Sequence, residues 1–138
     1  MRARRIVNYL NLSTPLGLLV ARLGGAAVSR GPDGLLLAHG YRLSVPPAAA
    51  FTVGNVVLTR FPHGWFDDRR ALLAHEARHA TQYAACLGPV LLPCYLLAAG
   101  VSWLLCRDFA TWNPFERLAG LDDGGYVRGT LRWRRVKG

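Results

Sequence analysis

The chain is poor in acid and nearly lacks lysine: 17 Lys plus Arg face 8 Asp plus Glu, 16 of those 17 cations are arginine, and the net charge is +9. Beyond residue 100 the described candidates for a carboxylate role shrink to Asp108, Glu116, Asp122 and Asp123. Cysteine is also scarce. Cys86, Cys94 and Cys106 are odd in number and show no C-x-x-C spacing, which excludes a disulfide framework and a structural zinc knot. Buried reduced thiols of a cytoplasmic protein remain as the reading. Internal repeats and low-complexity tracts are absent, and with 51% hydrophobic and 18% charged residues disorder is confined to the ends. The 138 residues make one domain, 1–138, with a modest core and basic tails at 1–5 and 128–138.

Against that background His75-Glu76-Ala77-Arg78-His79 stands out. In H-E-x-x-H on a helix the histidines lie one turn apart on one face, where both imidazoles can hold one metal ion, and the glutamate sits beside the open coordination position. No proline or glycine interrupts Phe66 to Leu87, Asp67 and Asp68 stand where an N-cap and first-turn acids belong, and Gly88-Pro89 stops the run. Leu72, His75, His79, Gln82 and Tyr83 share one stripe, so the histidines face inward. Arg78 points away from that stripe, towards a surface acid. The bland alternative is two ordinary histidines on a basic helix.

A catalytic zinc site needs a third protein ligand. Asn113-Pro114-Phe115-Glu116-Arg117 reads as a helix start with Asn113 as N-cap and Pro114 at the first position, which makes Glu116 the leading candidate. A capping box is the rival, because a glutamate at that position can bond back to the Asn113 N–H.

The blocks H-E-A-R-H-A-T-Q-Y, G-P-V-L-L-P-C-Y-L-L-A and N-P-F-E-R, in that order between about Phe51 and Arg117, resemble a group of small bacterial zincin-like proteins of the gluzincin metallopeptidase type. The resemblance implies His75, His79 and Glu116 as metal ligands, Glu76 as general base, and Gln82 as the glutamine that follows the second histidine in such proteins. Beyond Arg117 the chain departs, and no functional residue is carried over there. At this length it is a minimal module, too small for the two-lobed body of a typical secreted metallopeptidase.

The rest of the chain supplies the scaffold. Pro15 to Val28, broken by Arg22, weakly resembles a signal peptide but reads better as an amphipathic helix on the core or at a membrane surface. Gly31-Pro32-Asp33-Gly34 is a turn, and Leu35–Leu43 and Ala50–Thr59 read as two strands, the second placed to act as sheet structure or as an edge that pairs with an extended peptide. His39 and His63 are isolated. Ala84 to Cys106 holds 23 residues without charge, enough to span a bilayer. A continuous span would separate Glu116 from the histidines, so the shared site requires Gly88-Pro89 to turn the chain and Val90–Leu105 to return as a buried or membrane-facing hairpin helix.

The expected fold is α+β, a short β-sheet packed on a two- or three-helix unit that carries the zinc helix. The expected function is a small zinc-dependent metallohydrolase, a peptidase using Zn2+-activated water, with Tyr126, Tyr83 or Arg78 as candidate oxyanion partners. Two alternatives stand beside it: a non-enzymatic membrane- or polyanion-binding protein, and a metal-binding scaffold without turnover. Expected partners are a peptide or protein substrate, an anionic membrane surface approached by the arginine-rich ends, and, less well supported, nucleic acid stacking on Trp133. The expected location is cytoplasmic with membrane association.

Overall fold

Hydrophobic alternation and glycine placement divide the chain into more elements than the expected short sheet and two or three helices. The computed structural model describes residues 2–46 and 48–126. In chain order these form α1 (Arg2–Leu10), α2 (Ser13–Leu23), β1 (Ala27–Arg30), β2 (Leu36–His39), β3 (Ala50–Val53), β4 (Val56–Thr59), α3 (Arg70–Ala85), α4 (Leu91–Cys106) and α5 (Pro114–Ala119), with single 3-10 turns at Pro32–Gly34 and Gly88–Val90. The fold is α+β with a four-stranded mixed sheet in the order β1-β2-β4-β3; β2 and β4 run parallel and the other pairs antiparallel.

Strand β4 lies inside the sheet and is buried along its whole length. Val56 packs towards α2, where a side chain at Gly17 would collide with Val56 and Val53 O. Val57, one residue on and therefore on the other face, packs with Ala80 of α3. Thr52 of β3 is the register partner of Val57 and so also faces α3. This alternation carries an edge-strand side chain to the motif helix.

Several sequence boundaries differ from expectation. Ala50–Thr59 is a tight hairpin, because Gly54 takes φ +65° and Asn55 is locked at both ends: its N–H donates to Thr14 Oγ1 at 3.1 Å, and its Oδ1 accepts from Asn8 Nδ2 at 2.8 Å. A Cβ at Gly54 would meet the backbone of Ser13 and Thr14 at 2.4 to 2.7 Å, so the turn residue is also a packing requirement. The apolar run Pro15–Val28 splits at Gly24-Gly25 into α2 and edge strand β1. The strand expected over Leu35–Leu43 stops at His39, before Gly40. Residues 2–5, expected as a basic tail, open helix α1, where Arg4 donates to Asp33 O at 2.6 Å. The C-terminal tail 128–138 and Trp133 lie outside the described residues.

Helix α3 begins later than Asp67-Asp68 suggested, with Arg69 at the N-cap position and no side-chain cap. Asp67 N–H and Arg69 N–H are spent on Gly64 O and Phe66 O in the preceding turns, and Phe66 is buried. The helix ends where expected: Leu87 and Gly88 adopt left-handed backbone and the chain turns into α4. The stretch Gly88–Cys106 is long and apolar enough to cross a membrane by length and composition. Yet Ser102 and Cys106 are buried by protein, with Trp112 N–H donating to Ser102 Oγ at 2.9 Å. The segment after α4 therefore folds back along it, and α5 packs on both α3 and α4.

Candidate metal centre

The one-turn spacing on α3 places both imidazoles of the motif side by side, and α5 delivers the third group. Pro114 opens α5 and the Asn113 side chain caps it by accepting from Phe115 N–H at 3.1 Å. The Asn113 N–H itself donates to Ala110 O at 3.0 Å, so the capping-box bond from Glu116 is not made. The Glu116 carboxylate turns to the histidines instead. Its Oε2 lies 3.1 Å from His75 Nε2 and 3.3 Å from His79 Nε2, and the two Nε2 atoms lie 3.1 Å apart. All three residues are buried, and among the described residues they are the set of three that can hold a metal ion.

The surroundings orient the lone pairs. His75 Nδ1 is 2.8 Å from Gly120 O, a pure acceptor, so that nitrogen carries the proton. His79 Nδ1 is 2.9 Å from Gln82 Oε1, and Gln82 Nε2 donates to Phe115 O at 2.7 Å, which fixes the amide's orientation. Both Nε2 atoms are left facing the buried Glu116 Oε2. Three acceptors that converge in a buried space require a cation, either a proton on an imidazole or a metal ion.

The other Glu116 oxygen is held separately. Tyr95 Oη donates to Glu116 Oε1, and Tyr126 Oη lies 3.4 Å from the same atom. Burial pushes the Glu116 carboxyl up, but hydrogen bonds from His75 and His79, the His79 charge and the Tyr95 hydroxyl outweigh it and hold the group well below the usual carboxylate range. Burial pulls His79 down, and the bond to and charge of Glu116, with Glu76, outweigh it and raise His79 above its ordinary value. Burial first, then the Glu116 charge, pushes both tyrosines far up, so each stays a neutral hydroxyl donor.

Glu76 is buried beside this group, and Thr52 Oγ1 donates to its Oε2 at 2.6 Å. Burial raises the Glu76 carboxyl above its ordinary range against the opposing pull of His79, the Thr52 bond and His75. The two carboxylates and His79 line a cleft of about 440 Å³, closed on its sides by Phe51 of β3 and by Leu92, Tyr95 and Leu96 of α4. β3 is one of the sheet's two edge strands, and its outer edge borders the same cleft.

His75, His79, Glu116 and Glu76 are thus brought together, and Tyr83 and Tyr126 line the same cleft. Arg78 is not at the site: it donates to Ala119 O and pairs with Asp123 at 2.7 Å, so an oxyanion role for it is ruled out by its direction on α3. Tyr95 and Thr52 were missed by the sequence reading, as was the supporting role of the segment after Arg117. That segment contributes Gly120 O, Tyr126 and Gly124, where a Cβ would stand 2.7 Å from His75 Cε1. His39 and His63, isolated in sequence, come together with ring centres 5.0 Å apart, away from the cleft lining. No protein-family model matches this chain, and no curated protein or solved structure matches it; the resemblance to zincin-like proteins rests on the motifs alone.

Proposed function

We propose that the protein is a small zinc-dependent metallohydrolase that cleaves peptides, with His75, His79 and Glu116 as the zinc ligands. The observation that carries this reading is the nearly equilateral triangle of acceptor atoms, with edges of 3.1, 3.1 and 3.3 Å. Ligand atoms about 2.0–2.1 Å from a tetrahedral zinc lie roughly 3.3 Å from each other, and two imidazoles plus one carboxylate form a known catalytic donor set that leaves a fourth position open. When bound, zinc supplies a Lewis acid that polarises a carbonyl and lowers the pKa of water towards about 7.

The chain's own residues supply the rest. Tyr95 occupies Glu116 Oε1, which leaves Oε2 for the metal. Gly120 O and Gln82 fix the imidazole tautomers so that each presents Nε2. Glu76, buried and anchored by Thr52, takes a proton from the attacking water and passes it to the leaving amine. The Tyr126 hydroxyl, kept neutral and 3.4 Å from Glu116 Oε1, is a donor for a developing oxyanion. The unpaired outer edge of β3 can pair with an extended peptide, which favours polypeptide over a compact substrate.

The test is hydrolysis of a peptide library by the zinc-loaded parent and by Glu76→Gln. The variant keeps shape and polarity, so zinc should stay while turnover falls by roughly 100-fold or more. Equal turnover would refute the mechanism.

A further inference from the structure

Helix α4 carries a broad uncharged stripe that no other element among the described residues covers. Its buried side, Leu91, Ala99, Ser102 and Cys106 with the half-buried Tyr95, recurs at three- and four-residue spacing and faces protein. On the other side Leu96, Leu97, Val101 and Leu104 are exposed, Leu97 at 73%. The whole stretch from Ala84 to Cys106 contains no charge. Over its 16 residues the helix is about 24 Å long at ~1.5 Å per residue, far more apolar surface than scattered exposed leucines would make.

The rim of this face has a particular chemistry. At the C-terminal end of α4 the Arg107 guanidinium lies 5.0 Å from the Trp103 ring centre. An indole beside a cation, bordering an aliphatic surface, matches the headgroup level of an anionic membrane, where tryptophan is enriched and arginine meets phosphate.

The helix does not suit a full crossing. Tyr95, Ser102 and Cys106 tie one side of it to Glu116 and to the irregular backbone of residues 107–113, which has no place in lipid hydrocarbon. With that side held on protein and irregular backbone, the uncharged outer side of α4 is the surface that can meet a bilayer. Leu96 belongs to both the exposed stripe and the lining of the cleft, and Val45, 73% exposed, lines the cleft from the β2–β3 connection. The mouth of the cleft is therefore continuous with the apolar face.

We infer that the outer face of α4 seats on an anionic lipid bilayer, which opens the cleft at headgroup level onto polypeptide held at the membrane surface. The substrate half rests on the hydrolase reading above; the seating itself needs neither metal nor substrate.

The experiment is co-sedimentation of the full chain with phosphatidylcholine vesicles, with and without phosphatidylglycerol. Binding is expected, stronger to the vesicles containing phosphatidylglycerol. Leu97→Glu with Leu104→Glu, both at exposed positions, should bind at least about tenfold more weakly while keeping the parent's metal content. A polarity-sensitive fluorophore on exposed Cys94, in a Cys86→Ser background, should shift to the blue on adding the anionic vesicles. Should the double variant fail to fold, the Cys94 probe decides. Unchanged sedimentation of a folded double variant, an unshifted probe, or a vesicle-free dimer that the double variant splits would overturn the proposal. Loss of hydrolysis with vesicle binding intact would refute the hydrolase reading alone.

Discussion

Thr52 Oγ1 and Glu76 Oε2 lie 2.6 Å apart, a hydrogen bond that joins the sheet's edge strand to the carboxylate of the helix motif. The contact follows from register, because Thr52 stands opposite Val57 and shares its α3-facing side. Donation from Thr52 favours the ionised form of Glu76, the form a general base needs.

Thr52→Val should therefore raise the Glu76 pKa further and move the acid limb of kcat/KM to higher pH by about one pH unit or more, as expected for losing a bond to a charged group. The isosteric change leaves metal content as in the parent. A pH–rate profile checks this, and an unmoved acid limb would separate Thr52 from the base.

Gln82 bridges His79 Nδ1 and Phe115 O, so it orients the imidazole of a proposed zinc ligand and ties α3 to the helix that bears Glu116. Gln82→Ala should weaken zinc binding by roughly 10- to 100-fold, the range for removing an outer partner of a metal ligand. Gln82→Glu retains the acceptor for the His79 N–H and should recover part of that loss. Competition with a chromophoric chelator reads both values; parent-like affinity in Gln82→Ala would show that the bridge does not support metal binding.

Gly124 is a packing glycine against the His75 ring, and Gly100 on α4 has nothing within 4 Å of a built Cβ. Gly124→Ala should displace the ring, cost about 1–3 kcal/mol of stability through overpacking, and reduce zinc affinity. Gly100→Ala should keep zinc affinity and gain up to about 1 kcal/mol from helix propensity. Thermal melts with metal titration distinguish the two.

The helix motif, its inward face and the return of Glu116 were legible because each depends on local chemistry: one-turn spacing on α3, Asn113-Pro114 as a helix start, Gly88-Pro89 as a break. What escaped depends on pairing between distant segments. Val53-Gly54-Asn55-Val56 carries a hairpin signal, yet its apolar flanks read as one strand until Ser13 and Thr14 pack against the turn. β1 is a strand because β2 offers it an edge, and nothing within Ala27–Arg30 announces that. Tyr95 looked like one more greasy residue of an uncharged run. Its role arises only because α4 and α5 converge on Glu116.

Metal uptake should release a proton wherever His79 is protonated in the metal-free protein. Glu116 is held well below the usual carboxylate range, whereas His79, which faces Glu116 Oε2, is raised above its ordinary value, so His79 is the group whose proton competes with the metal. The sign follows: affinity rises with pH while His79 is still protonated, and levels off above its pKa. Calorimetric titration in two buffers of different ionisation enthalpy measures the proton count. Zero release would place the metal elsewhere.

The most direct measurement is the metal content of protein purified without added metal, compared across the parent, Glu76→Gln, His79→Ala and Glu116→Gln. About one zinc per chain is expected in the parent and in Glu76→Gln, and loss by orders of magnitude in affinity in the two ligand variants. Stoichiometric zinc retained by His79→Ala and Glu116→Gln, or a parent that takes up none, would contradict a zinc centre built from His75, His79 and Glu116.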